Sequence, residues 1–305
     1  TTFSLATPLM ASVIGELFHV ELNRTVVTII ILVLTCVVYT YSLLHGFKGI
    51  SFLAKSCIYL FFGLLAYVFL FGGETKYIIE TGFSAIGRVA QNFFQLATYT
   101  DPQRTTSFPQ TWTIFYWAYW MVWCVATPFF IGNISRGRTV RQTIFGGYLF
   151  GCGSTIISFI ILGNYSLGQQ IAGVADYVAM YQKNGDLYSI IIAIIRTLPC
   201  APLILALLFI TMVAFYATSF DSIALIGACY SYHKLGENES PHKLIELMWC
   251  VLLIALPIAL VFSDSSMSNL QSVSIIAAFP IAAVIVLITF SFLKDAKKYL
   301  LETEK

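Results

Sequence analysis

The chain has 305 residues, of which 58% are hydrophobic and only 10% charged, against roughly 25% charged in an ordinary soluble domain, and its mean hydropathy is +0.81. With 17 basic and 15 acidic residues the net charge is +2, too balanced for a nucleic-acid partner, so the composition excludes a water-facing surface and points to the lipid bilayer as solvent. The seven cysteines are scattered through apolar runs without a C-x-x-C pair and read as small hydrophobes rather than a disulfide framework or metal site.

A helix needs about 20 mostly apolar residues to cross the hydrocarbon core, and eight runs qualify: 1–19, 25–45, 50–72, 111–135, 143–163, 201–231, 244–263 and 270–293. The first begins Thr1-Thr2-Phe3, already apolar and with neither an initiator Met nor a signal-peptide charge pattern, so the chain reads as a piece of a longer protein. Residues 25–34 are rich in Val, Ile and Thr and would suit a strand in water. In lipid, their length and continuity decide for helix, because only helices and closed barrels satisfy every backbone group there.

Two connections are long. Residues 84–99 carry Ile86, Val89, Phe93, Phe94 and Leu96 with Arg88 and Gln91 between them, the pattern of an amphipathic helix lying at the interface. Residues 187–195 are apolar but long enough only for a half-helix. Pro128 is expected to kink the fourth span, and Gly147 with Gly151 to permit close helix packing in the fifth.

Basic residues cluster at alternate connections: Lys48 and Lys55; Arg136, Arg138 and Arg141; Lys234 and Lys243; Lys294, Lys297, Lys298 and Lys305. The connection 264–269 has none. The positive-inside bias therefore puts both ends of the chain on the cytoplasmic side of the plasma membrane, as an even span count requires, and the two long connections outside. Arg136 and Arg138 have two readings, gate contacts or topology alone.

The fourth span opens Thr111-Trp112-Thr113-Ile114-Phe115-Tyr116-Trp117-Ala118-Tyr119-Trp120-Met121-Val122-Trp123. At about 100° per residue, Trp112, Tyr116, Tyr119 and Trp123 fall within an arc of about 60° along about 16 Å of helix. Such a ladder of electron-rich faces attracts a quaternary ammonium cation, although packing or interface-belt aromatics give the same pattern. Asp221, in Phe215-Tyr216-Ala217-Thr218-Ser219-Phe220-Asp221-Ser222, is an intramembrane carboxylate and a functional candidate by default. The hydroxyls of Thr218 and Ser219 are either ion ligands or bonded back to their own helix.

An intramembrane enzyme fails on inventory, since H-E-x-x-H and G-x-S-x-G are absent and His19, His45, His233 and His242 lie near span ends. No filter-like repeat suggests a channel.

The run Trp112-Thr113-Ile114-Phe115-Tyr116-Trp117-Ala118-Tyr119-Trp120, followed by Ile134-Ser135-Arg136-Gly137-Arg138-Thr139, resembles the W-T-x-F-Y-W-A-W-W and R-I-S-[RK]-G-R-T signatures of the betaine/carnitine/choline transporter (BCCT) family. Leu5-Ala6-Thr7-Pro8-Leu9 and Ser291-Phe292-Leu293-Lys294-Asp295-Ala296-Lys297 look like flanking family segments. The resemblance implies an all-α integral membrane protein with a LeuT-type core of two inverted five-helix repeats, present here as spans five to twelve. Residues 1–72 would be the last three helices of the first repeat, 73–110 an external connection with its interfacial helix, 111–293 the complete second repeat and 294–305 a cytoplasmic tail.

It further implies secondary active transport of glycine betaine, carnitine or choline by alternating access, as symport or antiport across the cell inner membrane. The alternative is a truncated, inactive fragment. Trp112, Tyr116, Tyr119, Trp120 and Trp123 would form the substrate box, Phe215, Thr218 and Ser219 a sodium site, and Asp221 a gate or structural group. Tyr119 stands where the family has its central Trp, which weakens the cation–π contact. Lys55 aligns with an Arg of sodium-independent exchangers, so its charge is either a substitute for sodium or snorkels to the interface. The resemblance also implies a homotrimer, with 84–99 a plausible contact, and no cofactor beyond a coupling sodium ion.

Overall fold

The structure is a computed structural model that describes residues 2–19, 23–233, 240–262 and 267–303. The expected basic positions Lys234 and Lys305 and the stretch 264–266 lie outside the described residues. Every element described is helical: α1 (Thr2–Phe18), α2 (Arg24–Leu44), α3 (Gly46–Phe71), α4 (Thr75–Gln91), α5 (Phe93–Thr98), a π turn (Pro109–Thr113) running into α6 (Ile114–Ile134), α7 (Val140–Gly146), α8 (Gly153–Ser158), α9 (Asn164–Ile171), α10 (Tyr177–Asn184), α11 (Leu187–Arg196), α12 (Ala201–Tyr230), α13 (Lys243–Phe262) and α14 (Met267–Thr303). The segments α7 to α9 are joined end to end by π turns at Gly147–Cys152 and Phe159–Gly163.

All eight expected spans coincide with helices. By length and composition, five helical stretches among the described residues can cross a membrane: Thr25–Leu44, Lys48–Phe71, Val140–Ile171, Ala201–Tyr230 and Gln271–Glu302. The strand-prone run 25–34 lies inside α2, whose start is capped by Asn23 accepting from Thr25 N and Val26 N at 3.0 and 3.4 Å.

At four places the structure bears on an expected feature. The amphipathic helix placed at 84–99 begins at Thr75 and breaks at Asn92 between α4 and α5. The expected tail 294–305 continues α14 as helix to Thr303, where Lys298 and Glu302 form an i,i+4 pair at 3.9 Å. Helix α6 runs through Pro128 without ending. A Cβ on Gly147 or Gly151 would meet open space, so these glycines make no close helix contact; they sit in the first π turn of an outward-facing rod with Phe145, Tyr148 and Phe150 exposed around them.

The chain divides into two compact units. The larger comprises Thr2–Ala97 and Gly137–Asp264. Its central element is α12, packed by α1, α2, α3, α11 and α13. Along α12 the buried residues Ala214, Ala217, Asp221, Ala224 and Ala228 recur at three- and four-residue spacing, the small-residue stripe that lets helix backbones approach closely. Tyr39, Leu43, Ile50 and Cys250 close on this stripe. Near the other end of α12, Ile204 and Leu205 join Leu64, Val68, Ile78 and Tyr165 in a second apolar cluster. Gly227 is needed for space: a Cβ there would lie 2.7 Å from the Trp249 ring.

The smaller unit comprises residues 98–136 and α14. Helices α6 and α14 pack along each other. Phe115 and Ala118 are buried on α6, and Gln271, Ser274 and Ala278, at i, i+3 and i+7, on α14.

Candidate functional site

The aromatic face is built by the π turn and α6. The Trp112 and Tyr116 ring centroids are 6.1 Å apart with planes at 31°, and those of Tyr119 and Trp123 are 6.3 Å apart at 61°. Phe115, buried, links the two pairs, with its centroid 5.6 Å from Tyr116 and 5.7 Å from Tyr119. Trp120 stands edge-on to Tyr119 at 5.7 Å. All five expected substrate-box residues therefore belong to one aromatic network along a single helix. Tyr116 keeps 48% and Trp120 62% of its surface open, while Trp112, Tyr119 and Trp123 are half-buried, so the network presents part of its ring area.

The four-residue arc leaves out Phe115, although Phe115 and Tyr119 stand at i and i+4 on α6. Trp112 lies in a π turn, where Ile114 N–H reaches back five residues to Pro109 O, so the uniform 100° rotation fails at that point.

The polar residues of α12 are arranged differently. Asp221 is fully buried; its Oδ2 accepts from Ser42 Oγ at 2.9 Å and its Oδ1 from Ser222 Oγ at 3.1 Å. Close by, the Tyr39 hydroxyl donates to Cys250 O at 2.6 Å. Thr218 Oγ1 donates to Ala214 O at 2.8 Å and Ser219 Oγ to Phe215 O at 3.0 Å. Of the expected sodium ligands, both hydroxyls thus bond back to helix carbonyls, one of them to the Phe215 carbonyl itself. The Phe215 ring meets Phe61 of α3 at 5.5 Å, and the Cys57 thiol lies beside Thr218. Lys55, also on α3, is exposed and about 200° around the helix from buried Cys57. Arg136 and Arg138 are exposed in the turn between α6 and α7.

Sequence reading missed two further features. One is an apolar cavity of about 470 Å³ in the larger unit, lined by Leu64, Val68, Tyr165, Ile195, Leu198 and Ile204 among others; no motif marks it. The other is the connection ahead of the aromatic helix. Asp101 is 1% exposed, and its carboxylate accepts from Thr105 N and Oγ1 at 3.1 and 2.9 Å, Thr106 N and Oγ1 at 2.9 and 3.1 Å, and Ser107 N at 3.0 Å. These donors, the Thr106 N–H foremost, hold the carboxyl well below the ordinary carboxylate range. The signal was present as Asp-Pro followed by Thr-Thr-Ser, turn chemistry in which an Asp side chain bonds the backbone that follows it. A smaller version caps α10, where Asp176 accepts from Ala179 N at 3.0 Å and Gln170 Nε2 at 3.1 Å and its pKa is likewise lowered, the Ala179 bond being the main cause.

Comparison with known proteins bears on these features together. Residues 1–300 match the family described as BCCT, betaine/carnitine/choline family transporter. An uncharacterized transporter YeaV of Escherichia coli (strain K12) is 29% identical over 238 residues, covering 77% of this chain and 49% of the relative. A carnitine transporter of Acinetobacter baumannii is 27% identical over 273 residues, covering 89% of this chain and 49% of the relative. The chain spans about half the length of these curated relatives. The match over nearly the whole chain, on helices long and apolar enough to cross a bilayer, makes this a multi-pass membrane protein of a transporter rather than an enzyme family. The chain belongs to the betaine/carnitine/choline transporter family.

Proposed function

We propose that the whole protein is a secondary active transporter of a quaternary ammonium compound, moved across the cell inner membrane by alternating access in a LeuT-type fold. The observation that carries this reading is the open aromatic network of Trp112, Tyr116, Tyr119, Trp120 and Trp123. A permanently charged trimethylammonium group donates no strong hydrogen bond, and ring faces supply its attraction through their quadrupoles. One relative is named a carnitine transporter, so carnitine is the first substrate to test, with betaine and choline beside it. Uptake or exchange of labelled carnitine, betaine or choline by the purified protein in proteoliposomes is the expected result. Movement of none of the three would sink the substrate class and leave an inactive fragment as the better reading.

Coupling has two routes. In one, sodium sits at the Phe215 carbonyl with the Thr218 and Ser219 hydroxyls, and Asp221 holds α12 to α2 through Ser42. Sodium then has to displace the hydroxyl-to-carbonyl bonds those side chains make. In the other, the fixed charge of Lys55 substitutes for the ion. Ser219→Val lowers sodium-driven uptake in the first case and is tolerated in the second, whereas Lys55→Met abolishes activity, or makes it sodium-dependent, only in the second. The protein works as a homotrimer with both chain ends cytoplasmic, residues 84–99 forming a contact between protomers and Arg136 and Arg138 acting at the cytoplasmic gate.

A further inference from the structure

We infer that Asp101 is a positioning residue for the aromatic face: its carboxylate fixes the turn from which the π turn at Trp112 is wound, and thereby sets the placement of the Trp112 ring against Tyr116. The inference rests on the proposed quaternary ammonium site, of which Trp112 and Tyr116 form the first pair.

The backbone of the connection contributes one turn of its own, with Arg104 N donating to Asp101 O at 2.9 Å. Pro102 and Pro109 have no N–H to give, and Asp101, Arg104 and Ser107 adopt left-handed φ values of 46°, 52° and 54°. Each such residue costs free energy and persists only where its surroundings over-determine it. Here the determining group is the Asp101 carboxylate, with five donors drawn from three consecutive residues.

The constraint passes directly into the helix. Ser107, held through its N–H by Asp101, presents its carbonyl to Thr111 N and Thr111 Oγ1, both at 3.1 Å. Gln110 Nε2 ties the same turn back to Thr100 O at 2.8 Å and Asp101 O at 3.3 Å. Thr111 and Gln110 are the two residues that precede Trp112. The five-residue closure from Ile114 N to Pro109 O is thus anchored on both strands of the connection. Without the carboxylate, segment 109–113 is free to rewind with ordinary α spacing, which rotates Trp112 relative to Tyr116.

Transport kinetics of the full protein in proteoliposomes, with labelled carnitine, betaine or choline, test this. Asp101→Ala is expected to raise KM about tenfold while the maximal rate per folded transporter stays within about twofold, because ring placement governs the cation contact and not the turnover of the bundle. Thr106→Val, which removes one hydroxyl donor and keeps the carboxylate, is expected to raise KM by a smaller factor, and Thr106→Ser to bring it back. Should Asp101→Ala fail to accumulate, the Thr106 pair carries the test. Unchanged KM in Asp101→Ala or, failing that, in Thr106→Val, or a fall in maximal rate alone, overturns the inference, provided Trp112→Leu weakens substrate binding in the same assay. If Trp112→Leu has no effect on a protein that transports, the aromatic site itself falls.

Discussion

Helices α6 and α12 both carry the residues that sequence reading singled out, and they dispose of them in opposite ways. On α6 the rings touch one another edge to face along the helix and leave area open. On α12 the polar atoms are closed: Asp221 is held by two serine hydroxyls, and Thr218 and Ser219 donate to carbonyls one turn back. An aromatic face loses little by waiting for a partner, since apolar ring surface is at home in lipid. An unsatisfied hydroxyl or carboxylate in the same medium costs several kcal/mol. The two helices show that aromatic surface can be left open along a helix, whereas hydroxyls and a carboxylate inside a bundle are bonded within it.

The comparison breaks most readily at the closed region. Ala217 is fully buried against the cluster of Tyr39, Leu43 and Cys250, so Ala217→Leu is expected to destabilise the larger unit by about 3 kcal/mol through overpacking. Thermal unfolding in detergent measures it, and a midpoint equal to wild type would contradict the packing described. At the open region, Trp112→Leu is expected to weaken substrate binding by up to about 2 kcal/mol, some thirtyfold in Kd, while leaving stability nearly unchanged. Trp117→Leu is the control. That ring is 63% exposed and off the Trp112–Trp123 face, so binding should stay within about twofold of wild type; equal losses from both substitutions would deny the face any special role.

The smallest effect concerns Asp101 and pH. Its folded pKa is lowered, so its stabilising contribution is fully present above the ordinary aspartate value of about 4 and is lost as pH falls through the lower folded value. Between about pH 7 and about pH 5 the stability difference between wild type and Asp101→Asn should therefore stay constant, and narrow only in stronger acid. A difference that shrinks already near neutrality would mean that the carboxylate lacks the donors described.

Much of this was legible in the sequence because the bilayer imposes so few options. Apolar runs of about 20 residues must be helices, and each expected span coincides with one. The aromatic spacing on α6 and the motif Trp112-Thr113-Ile114-Phe115-Tyr116-Trp117-Ala118 were readable for the same reason, as local periodicity and local identity. Boundaries were less so. The helix beginning at Thr75 and the helical continuation to Thr303 lie in mixed polar sequence, where the hydrophobic pattern stops discriminating helix from connection.

By itself, then, the amino-acid sequence determined the lipid environment, the helical class, the family and which residues to watch, since each follows from composition or from residues within a few turns of one another. Only the tertiary structure decided how the buried polar residues are used: that Ser42, 179 positions away, satisfies Asp221, and that the Tyr39 hydroxyl reaches Cys250 O, 211 positions on. Hydrogen bonds and ring contacts depend on distance and direction in space, and residues far apart in the chain acquire both only when the helices pack.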